Sequence, residues 1–169
     1  MRHVLLAAIL SLMCLKGIAQ EQKTDSLPYR KYPVLPSFEI LTEDSSEKFS
    51  TYYIKDGKPI VLVYFSPDCG HCITLGKELA EHKDELKKTR IYMVTPRKLA
   101  DIPSYKDKTG LKDMKNITYG KDFNFFAISF YGINAFPFVA VYNGDKKLVK
   151  GFDNAFKIEE VLQAVEEAR

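Results

Sequence analysis

The chain has 169 residues, of which 46% are hydrophobic and 12% aromatic, so it can fill the core of one domain of ordinary size. Its 25 basic and 22 acidic residues give a net charge of +3. This small excess argues against a protein that binds nucleic acid or anionic membranes through a strongly basic surface.

The first 19 residues have the pattern of a secretory signal peptide. The basic residues Arg2 and His3 precede an apolar run over residues 4–15, and the small residues Gly17 and Ala19 follow it. The run is shorter than the roughly 20 apolar residues that a membrane-spanning helix needs. We therefore expect cleavage after Ala19, a periplasmic protein and no permanent membrane anchor.

Cys14 raises the alternative of a lipoprotein, but the bulky Met13 precedes it, where lipoprotein processing favours a small residue. Cleavage after Ala19 removes Cys14 and leaves Cys69 and Cys72 as the thiols of the mature chain. Disulfides form in the compartments to which such proteins are exported. This pair could therefore cycle between thiols and disulfide without a third cysteine to compete.

Residues 20–35 are polar and carry Pro28 and Pro33, which predicts a flexible lead into a domain over residues 36–169. Within the lead, Asp25-Ser26-Leu27 resembles the acceptor of O-glycosylation systems in some Gram-negative bacteria. The domain is predicted to begin with a strand in SFEIL, residues 37–41. A loop and a short helical turn follow in SSEKFSTYYI, residues 45–54.

The next two segments differ in their periodicity. The continuous apolar run IVLVYF, Ile60–Phe65, predicts a strand buried on both faces. From Cys72 onward the period is helical, and one face of the predicted helix carries Cys72, Leu75, Gly76, Leu79 and Leu86.

The rest of the chain continues this alternation. We predict a strand in IYMVTP, a broken helix ending at Gly110, a strand in NITYG and an aromatic helix capped by Asp122. An Asn-Gly turn between FPFVAVY and KKLVKGF predicts a hairpin, and KIEEVLQAVEEAR predicts a terminal helix. Together these elements predict a three-layer α/β domain with a central mixed sheet flanked by helices. The aromatic helix has the spacing of core packing rather than of a ligand site.

The segment VYFSPDCGHC places two cysteines at the junction of the buried strand and the following helix. The N–H groups and dipole at a helix N-terminus stabilise a thiolate, so Cys69 is the expected nucleophile. Cys72, one turn later and deeper, could attack a mixed disulfide at Cys69 and close the Cys69–Cys72 bond. Gly70 is expected to permit the tight helix entry. A cationic His71 would favour the thiolate over the disulfide, although an ordinary exposed histidine fits equally well.

Other uses of the cysteine pair have less support in the sequence. A structural zinc site needs four ligands, and the mature chain adds only His71 and His82. Covalent haem attachment needs histidine directly after Cys72, where Ile73 stands. Inert core cysteines fit poorly in so polar a turn. We therefore expect no metal site and no bound cofactor.

Two alternatives stay open. One is a redox-gated or copper-binding thiol module without turnover, although Met93 and Met114 are not clustered with the cysteines. The other is a thiol peroxidase, although Pro67 and Asp68 directly precede Cys69 where peroxidases place another pattern.

The order of elements carries a resemblance to a known family. IVLVYFSPDCGHC followed by a helix, then FPFVAVYNGD and a terminal helix, is similar to the thioredoxin superfamily. Within it the chain resembles the exported TlpA/ResA-type thiol-disulfide oxidoreductases of bacteria. That branch has a longer interval between the second cysteine and the proline, here Cys72 and Pro137, which holds an inserted strand-helix segment. The resemblance covers about residues 36–169.

The resemblance implies that Pro137 is the cis-proline facing the cysteine pair. With Phe136 it would shape a groove in which an extended substrate segment lies. Phe136 is bulkier than the residue commonly found before that proline.

The chain departs from the family pattern at two positions. Thioredoxins keep a buried acid where this chain has Val63, and ResA-like proteins place a glutamate where it has Leu75. Proton transfer from the resolving thiol would then fall to His71, Glu78 or water.

We therefore expect an exported thiol-disulfide oxidoreductase that exchanges disulfides with protein cysteines through its CGHC pair. Its expected partners are exported proteins that contain cysteines, together with a membrane-bound or soluble thiol-disulfide electron partner. Nucleic acid is not among the expected partners.

Overall fold

The structure is a computed structural model that describes residues 27–43 and 47–169. The predicted signal peptide, Cys14 and residues 25–26 of the predicted glycosylation motif lie outside the described residues. The described helices are α1 Pro28–Lys31, α2 Gly70–Glu81, α3 Lys83–Leu86, α4 Ile102–Thr109, α5 Phe126–Tyr131 and α6 Ile158–Glu167. The strands are β1 Glu39–Thr42, β2 Lys48–Ser50, β3 Ile60–Tyr64, β4 Arg90–Thr95, β5 Ile117–Lys121, β6 Phe138–Tyr142 and β7 Leu148–Asp153.

The seven strands form one mixed sheet in the order β2-β1-β5-β4-β3-β6-β7. Strand β3 runs parallel to β4 and antiparallel to β6, so the strand before the cysteines lies in the middle of the sheet. β4 and β5 are also parallel, whereas β1 pairs antiparallel with both β2 and β5. Helix α4 and strand β5 form a strand-helix segment between α2 and Pro137, as the resemblance implied.

The alternation of side chains along β3 separates two cores. Val61, Val63 and Phe65 pack with residues of α2, α4 and α6 on one face. Ile60, Leu62 and Tyr64 pack with residues of α1 and α5 on the other. All five residues of β3 are completely buried, because helices cover the strand on both sides. The predicted three-layer arrangement is confirmed.

Residues 27–35 differ from the flexible lead predicted for them. Tyr29 of α1 is buried, with its ring centroid 5.6 Å from that of Tyr131 and 5.9 Å from that of Phe138. Val34 forms an antiparallel β-bridge with Lys147, the residue directly before β7. The polar composition of the segment concealed the buried tyrosine that, together with the partly buried Leu27 and Leu35, attaches it to the core.

Two further elements differ from the predictions. The segment before β3 contains the short strand β2, which was predicted as loop. The helix after the cysteines ends at Glu81, so Leu86 belongs to the separate helix α3. His82, which lies between the two helices, leaves the helical backbone conformation.

Asp122 caps α5 in a different way from the one predicted. The N-cap position is Phe125, whose φ is +55°. The buried Asp122 carboxylate instead accepts hydrogen bonds from the backbone N–H groups of Phe126 and Ala127, at 3.1 and 2.9 Å. It also accepts one from the Tyr64 hydroxyl at 3.2 Å. One carboxylate therefore joins the start of α5 to the end of β3.

We predict that Asp122→Ala lowers the free energy of unfolding by about 3–5 kcal/mol, because two buried donors and one part-buried donor lose their acceptor. Tyr64→Phe removes one of these bonds and should cost about 1–2 kcal/mol. Urea denaturation measures both. The exposed Asp113 is the control, and Asp113→Ala should stay within about 0.5 kcal/mol of the unmodified protein. An Asp122→Ala variant as stable as that control would contradict the assignment.

Candidate active site

Cys69 is the N-cap residue of α2, five residues after Tyr64, the last residue of β3. Its backbone is extended, and its sulfur accepts a hydrogen bond from the Cys72 N–H at 3.4 Å. Cys69 is half-buried, so part of the residue is open to solvent. An N–H group aimed at the sulfur from a helix N-terminus stabilises negative charge there, as the sequence predicted.

Cys72 lies one turn deeper and is completely buried. Burial raises the pKa of its thiol well above the ordinary value, and the nearby Cys69 and Asp68 raise it further, although a backbone hydrogen bond with Ser66 opposes the shift. The structure holds both cysteines as free thiols. The two thiols are therefore chemically unequal: one is accessible, and the other is buried and kept protonated.

Tyr105 fixes the turn that carries Cys72. Its hydroxyl donates a 2.8 Å hydrogen bond to the Cys72 carbonyl oxygen, and its ring centroid lies 4.6 Å from that of Phe65. The sequence analysis missed this residue, which belongs to the inserted helix α4. Tyr105 lies 33 residues after Cys72 in the chain, so no local sequence pattern indicated this contact.

The loop before β6 lies against the nucleophile. The Phe136–Pro137 peptide bond is cis, and the Cys69 thiol donates to the Phe136 carbonyl oxygen at 3.7 Å. Pro137 is buried and Phe136 is half-buried. The ring of Phe136 lies 5.8 Å from that of Tyr64, whose hydroxyl is the donor to Asp122. The structure thus brings Cys69, Phe136 and Pro137 together.

His71 and Gly70 are exposed in the first turn of α2. His71 lines a cleft of about 110 Å³ together with Glu78 and Pro137. The tight helix entry expected of Gly70 does not depend on a glycine in the structure. Its φ is not in the left-handed region, and a Cβ built on it meets no atom within 4 Å. The turn into the helix is made by the extended backbone of Cys69, so no glycine is needed at the next position.

The residues just before Cys69 form a polar cluster that the sequence analysis also missed. Ser66 donates to the Asp68 carboxylate and accepts a 3.0 Å hydrogen bond from Arg97 Nε. The hydrogen bond from Ser66 lowers the pKa of Asp68, and the charges of Arg97 and Lys108 lower it further. Arg97 follows β4, which runs parallel to β3. The C-terminal ends of neighbouring parallel strands lie at the same edge of a sheet. The predicted strands could therefore have indicated that Arg97 lies near the residues before Cys69.

Asp68 and Glu78 are the carboxylates nearest to the cysteine pair along the chain. Asp68 is the carboxylate whose charge acts on the Cys72 thiol, whereas Glu78 lies two turns along α2 and lines the cleft with His71.

Within residues 27–43 and 47–169, no group of three or more His, Cys, Asp or Glu side chains is placed to hold a metal ion. No helix among these residues is long and apolar enough to cross a membrane.

Comparison with known proteins identifies the family. Residues 50–166 match the family model described as a thioredoxin-like domain. The chain belongs to this thioredoxin-like family. The resemblance to the thioredoxin superfamily seen in the sequence is therefore confirmed. Comparison with curated proteins gives no significant match.

Solved structures share the thioredoxin-like fold with this chain at low sequence identity. DsbF of Mycobacterium tuberculosis, solved in mixed oxidised and reduced forms, is 16% identical with a TM-score of 0.66, covering 78% of this chain and 95% of that one. A secreted disulfide oxidoreductase of the same organism, homologous to E. coli DsbE, is 20% identical with a TM-score of 0.63, covering 77% and 95%. A peroxiredoxin-like protein of Aquifex aeolicus is 15% identical with a TM-score of 0.65, covering 80% and 85%.

We predict a large difference in alkylation between the two thiols. Cys72→Ser, which retains Cys69, should react with iodoacetamide at least about tenfold faster at neutral pH than Cys69→Ser, which retains the buried Cys72. The rate for Cys72 alone should rise as the pH increases above neutrality, because only the thiolate reacts and burial raises its pKa. Alkylation in denaturant is the control and should make the two rates equal. Equal rates in the folded variants would refute the asymmetry.

Proposed function

We propose that the protein is a thiol-disulfide oxidoreductase that exchanges disulfides with cysteines of other proteins through Cys69 and Cys72. The observation that carries the proposal is the unequal pair at the start of α2. Cys69 is accessible and hydrogen-bonded at the helix N-terminus, and Cys72 is buried one turn behind it. A nucleophile in front of a protected resolving thiol is the arrangement that exchange in two steps requires.

In the reducing direction, the Cys69 thiolate attacks one sulfur of a substrate disulfide. A Cys69–substrate mixed disulfide forms, and the other substrate sulfur leaves as a thiolate. Cys72 then loses its proton and attacks the Cys69 sulfur, which releases the second substrate thiol and closes the Cys69–Cys72 disulfide. A thiol-disulfide electron partner, either soluble or membrane-bound, returns two electrons to the protein. In the oxidising direction the same steps run in reverse.

The loop at Pro137 supports a protein substrate. The Phe136 carbonyl oxygen lies beside the Cys69 thiol, so an extended segment bound along this loop would bring its sulfur to the nucleophile. Phe136 and Pro137 would then form one wall of the substrate groove. No bound cofactor is needed, because the dithiol itself carries the two electrons.

His71 is proposed to adjust the balance between dithiol and disulfide. It is exposed in the first turn of α2, beside the nucleophile, where a positive charge favours the Cys69 thiolate. The Cys-Gly-His-Cys sequence resembles that of protein disulfide isomerases, whose potential of about −180 mV lies above the roughly −270 mV of thioredoxin.

We predict that Cys72→Ser captures substrates as mixed disulfides on Cys69, because no second thiol remains to resolve them. Cys69→Ser should capture few, because its remaining thiol is buried and protonated. Incubation with a protein that contains a disulfide, followed by non-reducing electrophoresis, measures the capture. Cys69→Ser/Cys72→Ser is the blank. Equal capture by the two single variants would contradict the assignment of the nucleophile.

Export to the periplasm is a further part of the proposal and is supported by the signal-peptide pattern of residues 1–19. The mature chain should begin at Gln20 and lack Cys14. Its substrates would then be exported proteins with cysteines. N-terminal sequencing of the exported protein tests this, and a chain that retained an acylated Cys14 would overturn it.

A further inference from the structure

A groove of about 640 Å³ lies next to the cysteines, and the mechanism above does not use it. One wall contains Pro67 and Asp68, the two residues directly before Cys69. The opposite wall comes from the loop after β4 and from α4, and Lys121 at the end of β5 completes it. The groove is therefore built on the C-terminal ends of the parallel strands β3, β4 and β5.

The groove is predominantly basic. Its lining contains four cations, Arg97, Lys98, Lys108 and Lys121, against the two carboxylates Asp68 and Asp101. Within the described residues none of the four cations forms a salt bridge, whereas Lys106, Lys112, Lys146 and Lys150 each do. Arg97, Lys98 and Lys108 are exposed. With four cations and two carboxylates, the groove lining carries a net charge of +2.

The chemistry of the lining selects the kind of occupant. Proline and alanine are the only apolar lining residues and there is no aromatic side chain, so the groove does not suit an apolar ligand. The cations come from three elements: Arg97 and Lys98 from the loop after β4, Lys108 from α4 and Lys121 from the end of β5. Positive charge contributed by several elements suits several carboxylates along a chain better than one compact anion.

We propose that this groove binds an acidic segment of the substrate protein, adjacent to the cysteine or disulfide that reacts at Cys69. The inference rests on the proposed thiol-disulfide exchange and names its preferred substrate class. The substrate lies across Cys69. The Pro137 loop binds its backbone on one side, and the basic groove attracts its glutamate and aspartate side chains on the other. Charge complementarity of this kind acts mainly on encounter and specificity, and salt weakens it.

Three peptides test the proposal, each with the same intramolecular disulfide and flanked by glutamates, glutamines or lysines. The full mature protein, reduced beforehand, is mixed with each peptide, and the second-order rate of peptide reduction is measured. Each rate is divided by that of a neutral small-molecule dithiol with the same peptide, which removes the intrinsic effect of the flanking charges. At low salt the normalised rate for the glutamate peptide should exceed that for the glutamine peptide about fivefold, and the lysine peptide should be slowest. In about 0.5 M salt the difference should largely disappear.

Lys98→Glu/Lys121→Glu should abolish or reverse the preference for glutamate while leaving the glutamine peptide within about twofold of the unmodified rate. Lys87→Glu/Lys88→Glu is the matched control. It makes the same change of charge beyond the far end of α2 and should keep the preference. Inorganic phosphate at about the same ionic strength as sodium chloride should inhibit no more strongly than that salt; specific inhibition by phosphate would assign the groove to a compact anion and overturn the proposal.

The outcomes separate the two proposals. If all three peptides are reduced at equal normalised rates, the exchange activity stands and the acidic-segment inference is overturned. The same conclusion follows if both double variants change the preference equally. If the protein reduces no peptide, the proposed function fails, and the inference that rests on it fails too.

Discussion

The site depends on the complete burial of β3 at the centre of the sheet. Pairing with β4 on one side and β6 on the other, with helices covering both faces, leaves this strand one fixed position. The position of β3 determines where three features directly after it lie: the Ser66–Asp68 turn, the N-cap Cys69 and the axis of α2. The same pairing places the beginning of β6, and therefore Pro137, beside the end of β3.

A second consequence is the contrast between the cysteines. Cys69 occupies the last non-helical position, where a side chain can remain at the surface and still accept the N–H of Cys72. Three residues along, the helix turns Cys72 into the core formed with α4 and α6. Burial costs a thiolate far more than a thiol, so the same helix that supports charge on one sulfur suppresses it on the other. Tyr105 of the inserted segment and the Ser66–Asp68–Arg97 cluster hold this arrangement. Asp68 and Arg97 also line the basic groove at the same edge of the sheet.

The sequence predicted the elements with strong patterns and missed those that depend on contacts between distant residues. The apolar run of β3, the CxxC helix, the hairpin and the terminal helix were each visible locally, and their order led to the correct family. Tyr105, Arg97 and the basic groove were not visible, because their positions follow from strand order rather than from spacing in the chain. Asp122 was identified as a cap, but its bond to Tyr64 requires β3 and α5 to meet. The prediction for residues 27–35 was wrong for the opposite reason, since the buried Tyr29, with Leu27 and Leu35 packed against the same core, outweighs a polar composition that favours disorder.

The central claim is that Cys69 and Cys72 form one reversible two-electron couple. Equilibration of the mature protein in glutathione buffers of graded potential, followed by thiol labelling and mass measurement, tests it most directly. The account predicts a single transition in which both thiols disappear together, with a tenfold change in the ratio of dithiol to disulfide for each step of about 30 mV. With a cationic His71 beside Cys69, the midpoint is expected nearer to about −180 mV than to about −270 mV. Accumulation of glutathione on Cys69 while Cys72 stays a free thiol at every potential would contradict the account.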